Sequence, residues 1–174
     1  MIGGAVDHAA VVSAADDCHP VSVELYLMRH GEAQDATRDR DRPLSAKGRA
    51  QARSSALGLR HLRATPSVLW HSPYLRAAQT AAIAAEVLGL TGGAIVEDDR
   101  LTPDGDADAV ARWLLADRRA GLVVAHMPIL PSLVLALTGG AATFTTAGVA
   151  HLTVVGGHAV LSGLYSATAL EHMS

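Results

Sequence analysis

The sequence is poor in the features that would commit it to a cross-linked, membrane-spanning or nucleic-acid-binding chain. Its one cysteine, Cys18, excludes an internal disulfide. No apolar run reaches the length of a membrane span: the longest, residues 129–137, is interrupted by Pro131 and Ser132 and closes on Thr138-Gly139-Gly140. The first residues carry no basic start of a secretory signal, so a cytoplasmic protein is expected, with no membrane partner. A formal charge of -3 argues against a nucleic-acid binder, which needs a basic face, so any anion site must be local. Of the 14 Lys and Arg residues only Lys47 is lysine, asparagine is absent and aromatics are 3%. This reads as a coding bias toward Ala, Gly and Arg, and abundant arginine is therefore no argument for phosphate binding.

What remains is a chain of 174 residues with 49% hydrophobic content, enough for one domain with a substantial core and too short for two. Residues 1–22 show no clean period and are expected to be a flexible extension, with residues 23–174 forming a single domain. Asp16, Asp17, Cys18 and His19 invite a metal reading, but their spacing matches no common ligand pattern.

Strand and helix then alternate. Residues 23–28 read as a strand, and 31–42 as a charged loop in which Arg38, Arg40 and Arg42 alternate with Asp39 and Asp41. Ser45 caps a helix over 46–62, in which Ala50, Arg53, Leu57 and His61 fall near helical spacing, so His61 is expected as an exposed helix-end residue and not a ligand. Residues 68–70 form a short strand, after which Ser72 caps and Pro73 opens a helix reaching Leu88. A third strand covers 94–97, and an acidic loop covers 98–106. A helix over 108–117 turns Val110, Trp113 and Leu114 inward. A fourth strand, 122–125, ends at His126, and Met127 opens a helix to Leu137 with Pro128 in its first turn. Two strands around Gly156-Gly157 close the domain. The pattern predicts a three-layer α/β/α sandwich with a mostly parallel sheet of about six strands. In such sheets ligands gather beyond the carboxyl ends of the strands, where His30, Ser72 and His126 fall.

The first strand runs straight into Arg29-His30-Gly31, which holds a cation and an imidazole rigidly where the chain leaves the sheet: a place for chemistry on an anion. Ser72-Pro73-Tyr74-Leu75-Arg76-Ala77-Ala78-Gln79-Thr80 and Val123-Val124-Ala125-His126-Met127 follow in order, each at a strand end. Together these three blocks resemble those of the histidine phosphatase superfamily, with its phosphoglycerate mutase-like fold. The resemblance covers about residues 23–164. It implies that His30 is the phosphoryl-accepting nucleophile, that Arg29 and Arg76 contact phosphate, and that His126 is the second histidine of the site.

The chemistry of those residues agrees. Phosphoryl transfer needs positive charge around the non-bridging oxygens and a nucleophile held in line. Arg29 and Arg76 supply planar, bidentate donors. His30 must attack as neutral imidazole, and neighbouring guanidinium groups favour that form. His126 would stabilise charge on the transferring group, and the helix opening at Met127 would aim backbone amides at phosphate. The implied course is a phosphoenzyme on His30 followed by hydrolysis to inorganic phosphate, with no cofactor and no metal. His71, beside Ser72, is open between lining the pocket and a structural part. The charged loop reads as self-neutralising and solvated, bordering the entrance.

Arg42-Pro43-Leu44-Ser45, Leu101-Thr102-Pro103-Asp104-Gly105-Asp106 and Phe144-Thr145-Thr146-Ala147 look like segments of the SixA-type phosphohistidine phosphatases. Ester-cleaving relatives place a carboxylic acid near the phosphate to protonate an alkoxide. Here Asp98, Asp99, Asp104 or no residue at all stands in that role. Lack of an acid suits a phosphoramidate, whose imidazole leaves more readily. The expected substrate is therefore phosphohistidine on a partner protein of the histidine-phosphotransfer type. The alternatives are a phosphomonoesterase acting on sugar phosphates or similar small esters, and an inactive phosphoprotein-binding module.

Overall fold

The computed structural model describes residues 22–173. The expectations for the N-terminal tail, including the Asp16-Asp17-Cys18-His19 group, fall outside these residues. Six strands and five helices follow one another as β1 Val23–Arg29, α1 Ala46–His61, β2 Val68–His71, α2 Leu75–Leu88, β3 Ile95–Glu97, α3 Ala107–Asp117, β4 Gly121–Ala125, α4 Ile129–Thr138, β5 Val149–Val155, β6 His158–Tyr165 and α5 Ala167–Glu171. They form one sheet in the order β3-β2-β4-β1-β5-β6. The pairs β3/β2, β2/β4 and β4/β1 are parallel, whereas β1/β5 and β5/β6 are antiparallel.

Helices cover both faces, which is why the central strands are apolar on both sides. Along β1, Leu25 and Leu27 face a core built with α3 and α4, while Tyr26 and Met28 face one built with α1, α2 and α5. On α2 the inward residues are Ala77, Ala81, Ala84 and Ala85, small side chains that let the helix lie close to the sheet. The hairpin joining β5 to β6 turns at Gly156 and Gly157, with φ of +59° and +84°, the left-handed pair that a tight two-residue turn requires.

Register places the site. Arg29 lies opposite Ala125, and His71 opposite Val124, so β1, β4 and β2 end side by side. Backbone bonds continue the ladder past those ends: His30 N–H donates to the Ala125 carbonyl at 3.1 Å, and Ser72 N–H to the Val124 carbonyl at 3.1 Å.

Three local readings need correction. Ser72 still continues the sheet ladder, so α2 starts only at Leu75, with Tyr74 at the cap position and no side-chain cap, and Pro73 lies ahead of the helix. α4 starts at Ile129 and not at Met127, because the residue before a proline is pushed out of the helical region. On α1 the buried face is Ala52, Ala56 and Leu59, with Gly48 and Ser55, and the helix-end His61 is exposed as expected, as are Ala50 and Arg53. α5 has no counterpart in the sequence reading. It is capped by Ser166 and packs Leu170 onto Gly58 of α1, where an added Cβ would sit 2.6 Å from the Leu170 Cβ.

Candidate active site

β1 delivers Arg29 and His30 into a corner closed from both sides. The His30 carbonyl accepts from Ala147 N–H at 3.1 Å, and Gly31 N–H donates to Thr80 Oγ1 at 3.2 Å. Thr80 Oγ1 in turn donates to the Arg76 carbonyl at 2.8 Å, tying the exit of β1 to the first turn of α2. His30 Nδ1 lies 2.7 Å from the Gly31 carbonyl, which can only accept, so Nδ1 carries the ring proton. Nε2 is then a free lone pair, and the Arg76 Nε–H donates to it at 3.2 Å. Burial lowers the His30 pKa to about 4. The Gly31 bond opposes this, and the Arg76, Arg29 and Arg42 charges add to it.

Arg76 is buried, and both ends of its guanidinium are held by one residue. Nη1 donates to the Asp39 carbonyl at 2.6 Å and Nη2 to the Asp39 carboxylate at 3.0 Å. Arg42 Nη1 donates to the other carboxylate oxygen of Asp39 at 3.2 Å. Burial works against the charge on Asp39, but the hydrogen bonds from Arg76 and Arg42 outweigh it and hold its pKa below the ordinary value. Arg29 spends Nη1 on the Phe144 carbonyl at 3.0 Å.

His126 arrives from the end of β4, 1% exposed, with its ring centroid 5.0 Å from that of His30 at an interplanar angle of 55°. Burial above all lowers its pKa, to about 3, and the neighbouring His30, Arg76 and Arg29 act in the same direction against a smaller pull from Asp39. It is therefore a neutral ring with one N–H to give. Among the described residues, the buried side-chain nitrogen and oxygen atoms without a hydrogen-bond partner are Arg29 Nε and the two ring nitrogens of His126. All three atoms belong to residues lining one cavity of about 350 Å³, together with His30, Arg76, Arg42, Met127, Thr146, Glu32 and Ala33. Buried polar atoms are normally paired, and an uncompensated one costs about 1–3 kcal/mol, so this concentration of unpaired polar atoms points to a polar ligand.

The structure thus brings Arg29, His30, Arg76, His126 and Met127 together. His71 is not among the lining residues, and its Nδ1 bonds the Ser72 carbonyl at 2.9 Å. Nor do Asp98, Asp99 or Asp104 line the cavity. Asp98 is engaged by Arg100, whose hydrogen bond holds its pKa low. The carboxylate that does line the cavity is Glu32, fixed by Lys47 at 2.8 Å and Ser45 at 3.0 Å, contacts that lower its pKa. Sequence reasoning set Arg42 and Asp39 in a solvated loop bordering the entrance, not in the site itself, and gave Glu32 and Thr146 no part. A signal existed for Arg42, directly ahead of Pro43-Leu44, but its neighbours of both signs made the loop look self-neutralising.

Among the described residues no three His, Cys, Asp or Glu side chains converge so as to hold a metal ion. The charges that converge here are cations, suited to a small anion. No helix among these residues is long and apolar enough to cross a membrane.

The profile of the histidine phosphatase superfamily (branch 1) matches residues 25–102. Phosphohistidine phosphatase SixA of Escherichia coli strain K12 is 34% identical over 139 residues, which is 76% of this chain and 86% of that protein. The structure of the protein histidine phosphatase SixA complexed with tungstate superposes with a TM-score of 0.79 and 30% identity, covering 84% of this chain and 98% of the other. A phosphoserine phosphatase from Entamoeba histolytica, in complex with 3-phosphoglyceric acid, shares the fold with a TM-score of 0.65 at 18% identity, covering 85% and 99%.

Proposed function

The chain belongs to the histidine phosphatase superfamily, and we propose that within it the protein removes phosphate from phosphohistidine on a partner protein, through a phosphoenzyme on His30. The observation that carries this reading is the clustering of unpaired polar atoms, Arg29 Nε and the His126 ring nitrogens, in the cavity that His30 lines.

His30 Nε2 attacks phosphorus as the bond to the leaving nitrogen breaks, and that electron pair stays with the substrate imidazole, whose other ring nitrogen already carries a proton, so that it departs as neutral imidazole. The Nδ1–H bond to the Gly31 carbonyl supports the positive charge that develops on the ring. As the phosphoryl group arrives, the Arg76 Nε–H passes from His30 to a non-bridging oxygen, which frees the nucleophile and clamps its target in one move. Arg29 Nε and a neutral His126 N–H complete the set of donors aimed at charge in the transition state. Water then attacks phosphorus, the P–Nε2 bond breaks, and inorganic phosphate leaves.

Cleaving an alkoxide ester would need a carboxylic acid, and the carboxylate lining the cavity, Glu32, is held ionised by Lys47 and Ser45. A phosphoramidate leaves as imidazole and does not need one. Similarity to SixA supports the same substrate class. Rates measured on a phosphorylated histidine-phosphotransfer protein beside a panel of phosphate esters, with chelator present, are expected to favour the protein and to be indifferent to the chelator. Equal rates on simple esters would move the assignment to a phosphomonoesterase. No turnover, together with no acid-labile phosphate on His30, would leave a binding module.

A further inference from the structure

His126 poses a question of orientation. A functional histidine is commonly fixed by a hydrogen bond on its second nitrogen, yet neither ring nitrogen of His126 has a partner. Rotation about the ring's own bond is soft, so hydrogen bonding leaves its plane undetermined. Aromatic contact is what remains. The His30 ring lies tilted beside it, and the Tyr74 ring meets His126 edge to face, centroids 5.1 Å apart at 61°. The same Tyr74 ring carries the Arg76 guanidinium, whose central carbon lies 5.1 Å from its centroid. Tyr74 stands at the cap position of α2, where a side-chain oxygen would normally serve the helix and here none does.

We propose that Tyr74 is a positioning residue, whose ring holds His126 and Arg76 in the orientation that meets the phosphoryl group above His30. Edge-to-face packing fixes the plane of the imidazole, and the ring's electron-rich face adds to the Asp39 and His30 bonds that hold the guanidinium, so one side chain aligns a group from the end of β4 with one from the first turn of α2. The proposal rests on the reading of His126 and Arg76 as phosphate-contacting groups. Tyr74 also shields His126. The charged and titratable groups acting on that imidazole are His30 and Arg29 from β1, Arg76 from α2 and Asp39 from the loop before α1.

The test compares Tyr74→Phe, which keeps the ring, with Tyr74→Leu, which does not. On any phosphate substrate that the wild type turns over, Tyr74→Phe is expected to keep the wild-type kcat. Tyr74→Leu should lower kcat roughly 10- to 100-fold with little change in KM, the scale of a misaligned reacting group. Ring-proton NMR supplies a readout independent of turnover: His126 stays neutral in mildly acid solution in the wild type and Tyr74→Phe, and titrates at higher pH in Tyr74→Leu as water reaches it. Wild-type kcat in Tyr74→Leu, an equal loss in Tyr74→Phe, or an unmoved His126 titration would each overturn the proposal. If Tyr74→Leu does not fold, Tyr74→Met fills the space without an aromatic face, and the same outcomes decide. A wild type without turnover would sink the proposed function alone, since the NMR comparison still judges the clamp.

Discussion

At His30 the two ring nitrogens have separate duties, and the Gly31 carbonyl assigns them by accepting the hydrogen bond of Nδ1–H. The arginine that caps Nε2 also lines the cavity, so the proposed nucleophile and phosphate clamp are hydrogen-bonded to each other before any substrate arrives. His30→Ala is expected to abolish turnover, since no other side chain offers a lone pair at that point. Arg76→Ala should raise the barrier by roughly 2–4 kcal/mol, the scale of one lost transition-state donor. Steady-state kinetics on both variants check this, and wild-type rates from either would refute the roles given to them.

At the scale of elements, the segment after His30 and α1 are fitted backbone to backbone. A Cβ on Gly31 would fall 2.3 Å from the Gly48 carbonyl oxygen, and one on Gly48 would fall 1.9 Å from that of Glu32. Neither contact can be relieved by turning a side chain. Ser45 reinforces the junction, accepting from Gly48 N–H at 2.9 Å and donating to Glu32 at 3.0 Å. Gly48→Ala is therefore expected to displace the first turn of α1 and the segment after His30, costing roughly 1–3 kcal/mol of stability and part of the activity. Gly93→Ala, where an added Cβ meets nothing within 4 Å, is the matched control. Equal urea midpoints and rates in the two variants would show that the close approach does not matter.

For the molecule as a whole, the site is a liability in acid. His30 and His126 have folded pKa values of about 4 and about 3, below the 6.5 of an unhindered histidine. The unfolded chain thus binds more protons below pH 6.5, and stability falls as pH drops from there toward 4. Each histidine contributes on the order of 2 kcal/mol to the loss by pH 5. Urea unfolding at pH 7 and pH 5 should show the difference, and the double variant His30→Gln, His126→Gln should shrink it. A wild-type free energy that stays flat between those pH values would contradict the buried, neutral state of the pair.

Sequence by itself determined the order of strands and helices, the three-layer class and the three strand ends that converge, because apolar runs, glycine turns and the Arg29-His30-Gly31, Ser72–Thr80 and Val123–Met127 blocks are local features. Helix starts near proline were misplaced where a longer-range bond decided them, as when Val124 kept Ser72 in the sheet ladder. The short α5 was invisible because its reason for folding is Gly58, far away in the chain. Only the tertiary structure showed that Asp39 grips Arg76 and that Arg42 joins the pocket, since a loop of alternating charges gives no sign of which charge faces inward. Likewise only the fold set Tyr74 against His126, a contact between residues 52 positions apart that no local pattern encodes.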